Sequence, residues 1–162
     1  MHQIIDEFLP KEDFIKLKNI IYGANFPWFL QQNLETPNVS DKNYCYYTHL
    51  LLNDGIQNSA VFNDIWDILK GHFDWKMIGR VKCNSYPASS ILLEHEDHVD
   101  APWEHKGLIL SMNTCDGATV LEDGNRVESI ENRALFFDPS KPHHSTNCTN
   151  DKARVNININ YF

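Results

Sequence analysis

From about residue 75 onward the chain is a succession of short β-prone runs broken by Gly, Asn, Asp and Pro. This pattern limits the fold more than any other feature of the sequence. Candidate strands fall at 76–86, 91–98, 108–113, 119–122, 126–130, 134–137, 144–147 and 154–161. Asp123-Gly124-Asn125, between two of them, has the composition of a hairpin turn. Many short strands in so little chain are stable when two sheets stack on each other, which protects their edges and leaves a mouth between the layers where side chains converge.

The first 72 residues read differently. Residues 3–5 suggest a short strand. Pro10 near a first helical position, with Glu12 and Asp13 in the first turn, marks a helix start. Phe14, Leu17, Ile20 and Ile21 recur at helical spacing, and Gly23 supplies a stop. Residues 24–43, rich in Asn, Gln and Pro, read as a long structured loop, and 44–52 as a strand. Asn58 or Ser59 can cap a second helix reaching Lys70, with Val61, Phe62, Ile65, Trp66, Ile68 and Leu69 on its buried side. The expected architecture is mainly β with amino-terminal helices, a cupin-like jelly roll (double-stranded β-helix) with helices packed on one sheet. It forms a single domain over 1–162, with helical support in 1–72 and the jelly-roll core in 75–162.

A chain of 162 residues suits one domain and buries enough apolar surface to fold without disulfides. Its formal net charge of -8 argues against broad binding to nucleic acid or anionic membranes. Cys45, Cys83, Cys115 and Cys148 form no C-x-x-C pair and read as small buried hydrophobes in a reducing compartment. The start, MHQIIDEFLPKEDF, has neither the basic segment nor the apolar run of a signal peptide, and no stretch approaches the roughly 20 apolar residues of a membrane span. A soluble, cytoplasmic protein is expected.

Two histidines and one carboxylate form the ligand set of a non-haem iron site that keeps coordination positions open. The segment His95-Glu96-Asp97-His98-Val99-Asp100 contains His-x-Asp twice. Residues two apart on an extended strand point to the same side, so either pair can grip one ion. His98/Asp100 lies nearer Ala101-Pro102-Trp103, where the strand must end, which favours it for a position at the mouth. The third ligand is expected from His143 or His144, only one of which can face the site in a regular strand. His105, five residues after Asp100, reads as a loop histidine.

Arg154 opens a strictly alternating run in which Val155, Ile157 and Ile159 form one face, and Arg154, Asn156, Asn158 and Asn160 the other. The polar face is read as the lining of a ligand cavity. A guanidinium presents a planar fork to a carboxylate and stays charged when partly buried. Tyr86, on the same side of its strand as Lys82 and Asn84, is a second candidate for that pocket.

These residues resemble the 2-oxoglutarate/iron(II)-dependent oxygenases, specifically the small prolyl-4-hydroxylase-like branch of bacteria and phages. Ile4 to Pro10 is similar to that branch's opening, and Arg80 to Pro87 to the strand before its ligands. His98-Val99-Asp100 matches its His-x-Asp. Leu110-Ser111-Met112-Asn113 with Gly117-Ala118-Thr119 resembles its Leu-Asn strand and Gly-rich hairpin. Phe136-Phe137-Asp138-Pro139-Ser140 with Pro142-His143 resembles its Phe-Pro-Ser…His segment, and Arg154-Val155-Asn156-Ile157 its closing strand.

The resemblance implies that His98, Asp100 and His143 hold Fe(II), with His143 preferred to His144 by ungapped alignment. It implies that Arg154, helped by Tyr86, binds the far carboxylate of 2-oxoglutarate. Many relatives have a tyrosine where Ser111 stands, so the pocket widens there, and Asn156 or a water is expected to fill it. The implied activity is C–H hydroxylation using O2, with release of succinate and CO2, and it admits ascorbate as an accessory reductant. The implied substrate is a prolyl residue of a peptide or protein, with small molecules as the alternative. Monomer or homodimer is expected, without membrane or nucleic-acid partners, in the cytoplasm (a host's, if phage-encoded). The competing readings are a cupin-like metal enzyme that uses no 2-oxoglutarate and a non-enzymatic jelly-roll binding module.

Overall fold

The computed structural model describes residues 2–31 and 45–162. In chain order the elements are β1 (Gln3–Ile5), α1 (Lys11–Ile21), β2 (Phe29–Gln31), β3 (Tyr46–Asn53), β4 (Ile56–Gln57), α2 (Phe62–Leu69), β5 (Ile78–Pro87), β6 (Lys106–Ser111), β7 (Ala118–Leu121), β8 (Arg126–Glu128), β9 (Ala134–Phe137), β10 (His143–Ser145) and β11 (Ala153–Tyr161). The chain is mainly β, and every strand pairing is antiparallel. The larger sheet runs β1-β9-β6-β11-β5-β3-β2, with β4 paired to β3; the smaller runs β10-β7-β8. This two-sheet arrangement is consistent with a jelly roll.

Local chemistry accounts for the boundaries. Pro10 precedes α1, and its carbonyl accepts the first helical bond from Phe14 N at 3.0 Å. Phe14, Leu17 and Ile21 form the buried stripe of α1. Gly23 ends the helix by close approach: a Cβ there would lie 2.8 Å from the Asn19 carbonyl oxygen. On α2, Phe62, Ile65 and Leu69 are buried. The β7–β8 hairpin turns at Gly124, which takes φ +78°, and Asp123 accepts a bond from Asn125 N.

Residues 1–72 combine α1 and α2 with the expected strand at 3–5 and with β2 to β4. Three details differ from the sequence reading. Within the expected loop 24–43, residues 29–31 pair with β3; the rest of that loop from residue 32, and Tyr44 of the expected strand, lie outside the described residues. The expected strand 91–98 contracts to two isolated bridges, His98–His143 with β10 and Glu94–Thr146 just beyond it, because the segment forms no continuous ladder with its neighbour. The second helix begins at Phe62, four residues after Asn58, and Ser59 instead accepts a bond from Val61 N at 3.3 Å.

The core explains why a polar interior is tolerated. Val155, Ile157 and Ile159 of β11, with Val81 and Cys83 of β5 and Leu108 and Leu110 of β6, join the buried faces of both helices in one apolar cluster. Burial on that side of the large sheet carries much of the stability. The opposite side of the same strands faces the small sheet. There only Ile109, Val127, Leu135 and Phe137 form an apolar cluster, and Asn156, Asn158 and Asn160 are all buried. Among the described residues no helix is long and apolar enough to cross a membrane.

Candidate metal centre

The His98–His143 bridge builds the site. Each backbone N–H donates to the other residue's carbonyl at 3.0 Å, which sets the two side chains beside each other with ring centroids 4.6 Å apart. Asp100 follows two residues later, and its N–H donates to Pro139 O at 2.9 Å, tying it to the segment that leads into β10. One ligand atom from each of His98, Asp100 and His143 lies within 4.8 Å of the other two.

The histidines are oriented from behind. His143 Nδ1 meets Lys141 O at 2.9 Å and His98 Nδ1 meets Glu96 O at 3.3 Å. Donation from Nδ1 to those carbonyls leaves each Nε2 with a lone pair, the tautomer a metal needs. Burial pushes the His143 pKa down, only partly offset by the Lys141 carbonyl, so its neutral form is favoured. Burial pushes the Asp100 carboxyl up, but the Arg80 guanidinium, with His143 and Lys82, outweighs it and holds the carboxyl at about 2. Two imidazoles and a carboxylate on one side fit a divalent iron that keeps other positions open.

His144, the adjacent candidate, turns the other way. Its Nδ1 lies 2.7 Å from Asp97 Oδ1 and its Nε2 3.2 Å from Glu94 Oε2, so both ring nitrogens are engaged outside the triad. That geometry also takes Asp97 away from His95. His95 is buried against Tyr86, with ring centroids 5.1 Å apart, and burial together with Arg154 pushes its pKa down to about 3. His105 lies in a loop, with Nδ1 2.8 Å from Trp103 O.

Arg154 is 1% exposed and lies opposite Tyr86 in the β11–β5 register, its guanidinium carbon 5.8 Å from the ring centroid. Nη2 donates to Thr119 Oγ1 at 2.7 Å and Nη1 to Thr146 O at 3.2 Å, while Nε is buried without a hydrogen-bond partner among the described residues. Among the described residues it makes no ion pair. Gly117 makes room for it: a Cβ there would lie 2.2 Å from Asn147 O and 2.7 Å from Arg154 Cδ. Asn156 sits in register between Ser111 and Asn84 and accepts a bond from Asn84 Nδ2 at 2.9 Å, so it links the strands beside the small Ser111 side chain.

Two cations have no site role in the sequence reading, although Lys82 is placed there on the side of Tyr86. Arg80 and Lys82 share strand parity with Asn84 and Tyr86, and that alternation was the available signal. Arg80 Nη2 pairs with Asp100 Oδ1 at 2.7 Å, and Nε is buried without a hydrogen-bond partner among the described residues. Burial and Arg80 pull Lys82 down to about 8, with Asp100 opposing, which leaves it cationic at neutral pH. Arg80, Lys82, Tyr86, His98 and Asp100 wall a cavity of about 370 Å³. Arg80 and Asp100 also wall a second cavity of about 580 Å³, whose other side includes Trp103, His105, Asn160 and Phe162. Unpartnered buried atoms (Arg154 Nε, Asn84 Oδ1, Asn158 Oδ1, Asn160 Oδ1) are concentrated on this polar face, as expected of a lining made for polar ligands.

No family model matches the sequence, and no curated protein matches it. Solved structures do match. A 2OG-Fe(II) oxygenase family oxidoreductase from Burkholderia pseudomallei superposes with TM-score 0.71 at 11% identity, over 99% of this chain and 83% of that one. A prolyl hydroxylase from Trichoplax adhaerens, solved with a hypoxia-inducible-factor peptide fragment, gives 0.61 at 17% identity over 99% and 83%. The viral collagen prolyl hydroxylase of Paramecium Bursaria Chlorella virus-1, solved with 2-oxoglutarate, gives 0.60 at 12% identity over 99% and 96%. At these identities the likeness establishes a shared fold along nearly the whole chain.

Proposed function

We propose that this chain, which shares its fold with 2-oxoglutarate/iron(II) oxygenases, is a dioxygenase of that kind, a double-stranded β-helix enzyme that hydroxylates a C–H bond. His98, Asp100 and His143 hold Fe(II), and Arg154 with Tyr86 receives the far carboxylate of 2-oxoglutarate. The observation that carries this reading is the combination of an open three-ligand group with a wholly buried guanidinium that has no carboxylate partner among the described residues. A buried charge left alone is costly, so an incoming carboxylate is the natural counter-charge.

When bound, iron and 2-oxoglutarate supply the oxidising chemistry: one atom of O2 enters the substrate as hydroxyl, and the other enters succinate as CO2 leaves. The chain's own residues position and shield. The carbonyls of Lys141 and Glu96 hold the imidazoles in the ligating tautomer. Thr119 fixes the Arg154 fork, and Tyr86 covers its face. Tight packing of Gly117 against the Arg154 stem keeps that end closed. A prolyl residue in a peptide is the preferred substrate, and the peptide in the Trichoplax adhaerens complex supports that choice. Asn156 tunes the co-substrate end beside Ser111.

The test is anaerobic addition of Fe(II) and 2-oxoglutarate, followed by O2. A weak visible charge-transfer band, then succinate formed in step with O2 uptake, is expected. Metal binding without succinate would favour a metal enzyme that uses no 2-oxoglutarate; no stoichiometric metal binding would favour a binding module.

A further inference from the structure

Beyond the triad and Arg154, the interior face of β5 carries two cations that the proposed co-substrate does not need. Arg80 stands at the boundary of the two cavities, and it and Asp100 wall both. Its Nη2 pairs with Asp100 Oδ1 at 2.7 Å, and its Nε is buried with no hydrogen-bond partner among the described residues. Lys82 makes no hydrogen bond or ion pair with any described residue. The carboxylate acting on Lys82 is Asp100, the same group that serves the metal. Of the other carboxylates on these walls, Asp54 and Asp97 are exposed, and Asp97 is held by His144.

Charge matching then points to a ligand. A divalent ion on Asp100 competes with Arg80 for that carboxylate, and the two carboxylates of 2-oxoglutarate are assigned to the metal and to Arg154. Arg80, which borders both cavities, and Lys82, on the wall of the 370 Å³ cavity, are then left without a counter-charge among the described residues. The 580 Å³ cavity has Trp103, 59% exposed, and Phe162 as apolar wall. An arginine fork with unused donors beside an apolar wall suits a carboxylate on a partly apolar substrate.

We propose that Arg80 and Lys82 form an anion-reading subsite for the prime substrate, which carries a carboxylate next to the C–H that is hydroxylated. This rests on the oxygenase reading above. The carboxylate has two sources: the substrate's own α-carboxylate, as in a free amino acid, or an acidic side chain beside the target residue in a peptide.

The experiment uses the full chain loaded with Fe(II) and 2-oxoglutarate. L-proline is compared with L-prolinamide, and capped Asp-Pro and Glu-Pro peptides with their Asn-Pro and Gln-Pro counterparts. Hydroxylated product is followed by mass. Equilibrium dialysis of the same probes against the cobalt(II) and 2-oxoglutarate complex gives a readout without turnover. In at least one pair the acid is expected to exceed its amide by roughly ten- to a hundredfold, the worth of a charge-assisted bond. Which pair responds identifies the source. In R80Q/K82Q that ratio falls toward one; in K82Q alone, which spares the contact with Asp100, it falls partway. Equal handling of acid and amide, absence of binding by every probe, or an unchanged ratio in both variants would overturn the subsite. Failure of the unsubstituted protein to form succinate from 2-oxoglutarate would instead overturn the oxygenase reading.

Discussion

Tyr86 and Arg154 occupy opposed positions on neighbouring strands, and the tyrosine ring lies over the guanidinium at 5.8 Å. The pair closes one end of the polar interior with a cation whose hydrogen bonds, among the described residues, go to Thr119 and the Thr146 carbonyl. Arg154→Lys should therefore raise the 2-oxoglutarate concentration needed for half-maximal succinate formation by roughly tenfold or more, because lysine cannot reproduce the fork. An unchanged co-substrate response would remove Arg154 from that role.

Gly117 offers an independent probe of the same end. The Cβ of Gly117→Ala would meet both the Asn147 carbonyl and the Arg154 stem. Overpacking of this kind costs about 1–3 kcal/mol. A lowered denaturation midpoint together with weaker 2-oxoglutarate binding is expected. Full stability and full binding in the variant would contradict the close packing.

The triad makes a three-way prediction. His98→Ala and Asp100→Ala should each abolish stoichiometric Fe(II) binding and succinate formation while circular dichroism stays native. His144→Ala, whose ring contacts Glu94 and Asp97 instead, should keep both. Full activity in the first two variants, or loss of metal binding in the third, would refute the assignment.

Buried neutral histidines set the acid limb of stability. The pKa values of His49, His95 and His143 are all pushed down by burial, that of His95 to about 3. The unfolded chain binds their protons near 6.5 and the folded chain does not, so it holds more protons below that pH. Their contribution is complete above 6.5 and is lost as pH falls toward the depressed folded values. Between 4.5, the ordinary glutamate value, and 6.5, the midpoint of the metal-free protein should climb with pH, and His95→Gln should flatten the climb. A level profile across that interval in the unsubstituted protein would sink the argument.

The two faces of β11 should respond differently. Ile157, fully buried in the apolar cluster, should cost about 2–5 kcal/mol when cut to alanine. Asn156→Ala should cost less in stability and act mainly on co-substrate binding. Equal destabilisation by both, measured by urea unfolding, would deny the division of labour between the faces.

Much of this was legible one residue at a time. The alternation of β11 separates Val155, Ile157 and Ile159 from Arg154, Asn156 and Asn158 because side chains on a strand change sides at every step. The Asp123-Gly124-Asn125 turn is equally local. The spacing of His98 and Asp100 puts both on one side of an extended segment. Residues 91–98 misled because a β-prone run becomes a strand only where a neighbour supplies a continuous ladder, and here the neighbour forms two separate bridges.

The amino-acid order by itself determined the residue types, the period of each strand and the presence of a His-x-Asp spacing. Those depend on neighbours within a few positions. Tertiary structure alone decided which side of β11 faces the interior, that His143 rather than His144 meets His98, and that Arg80 comes to rest against Asp100. The physical reason is that a strand's period defines two faces without saying which is enclosed. That choice is made by the register between segments distant in the chain, and by where the helices bury the apolar side.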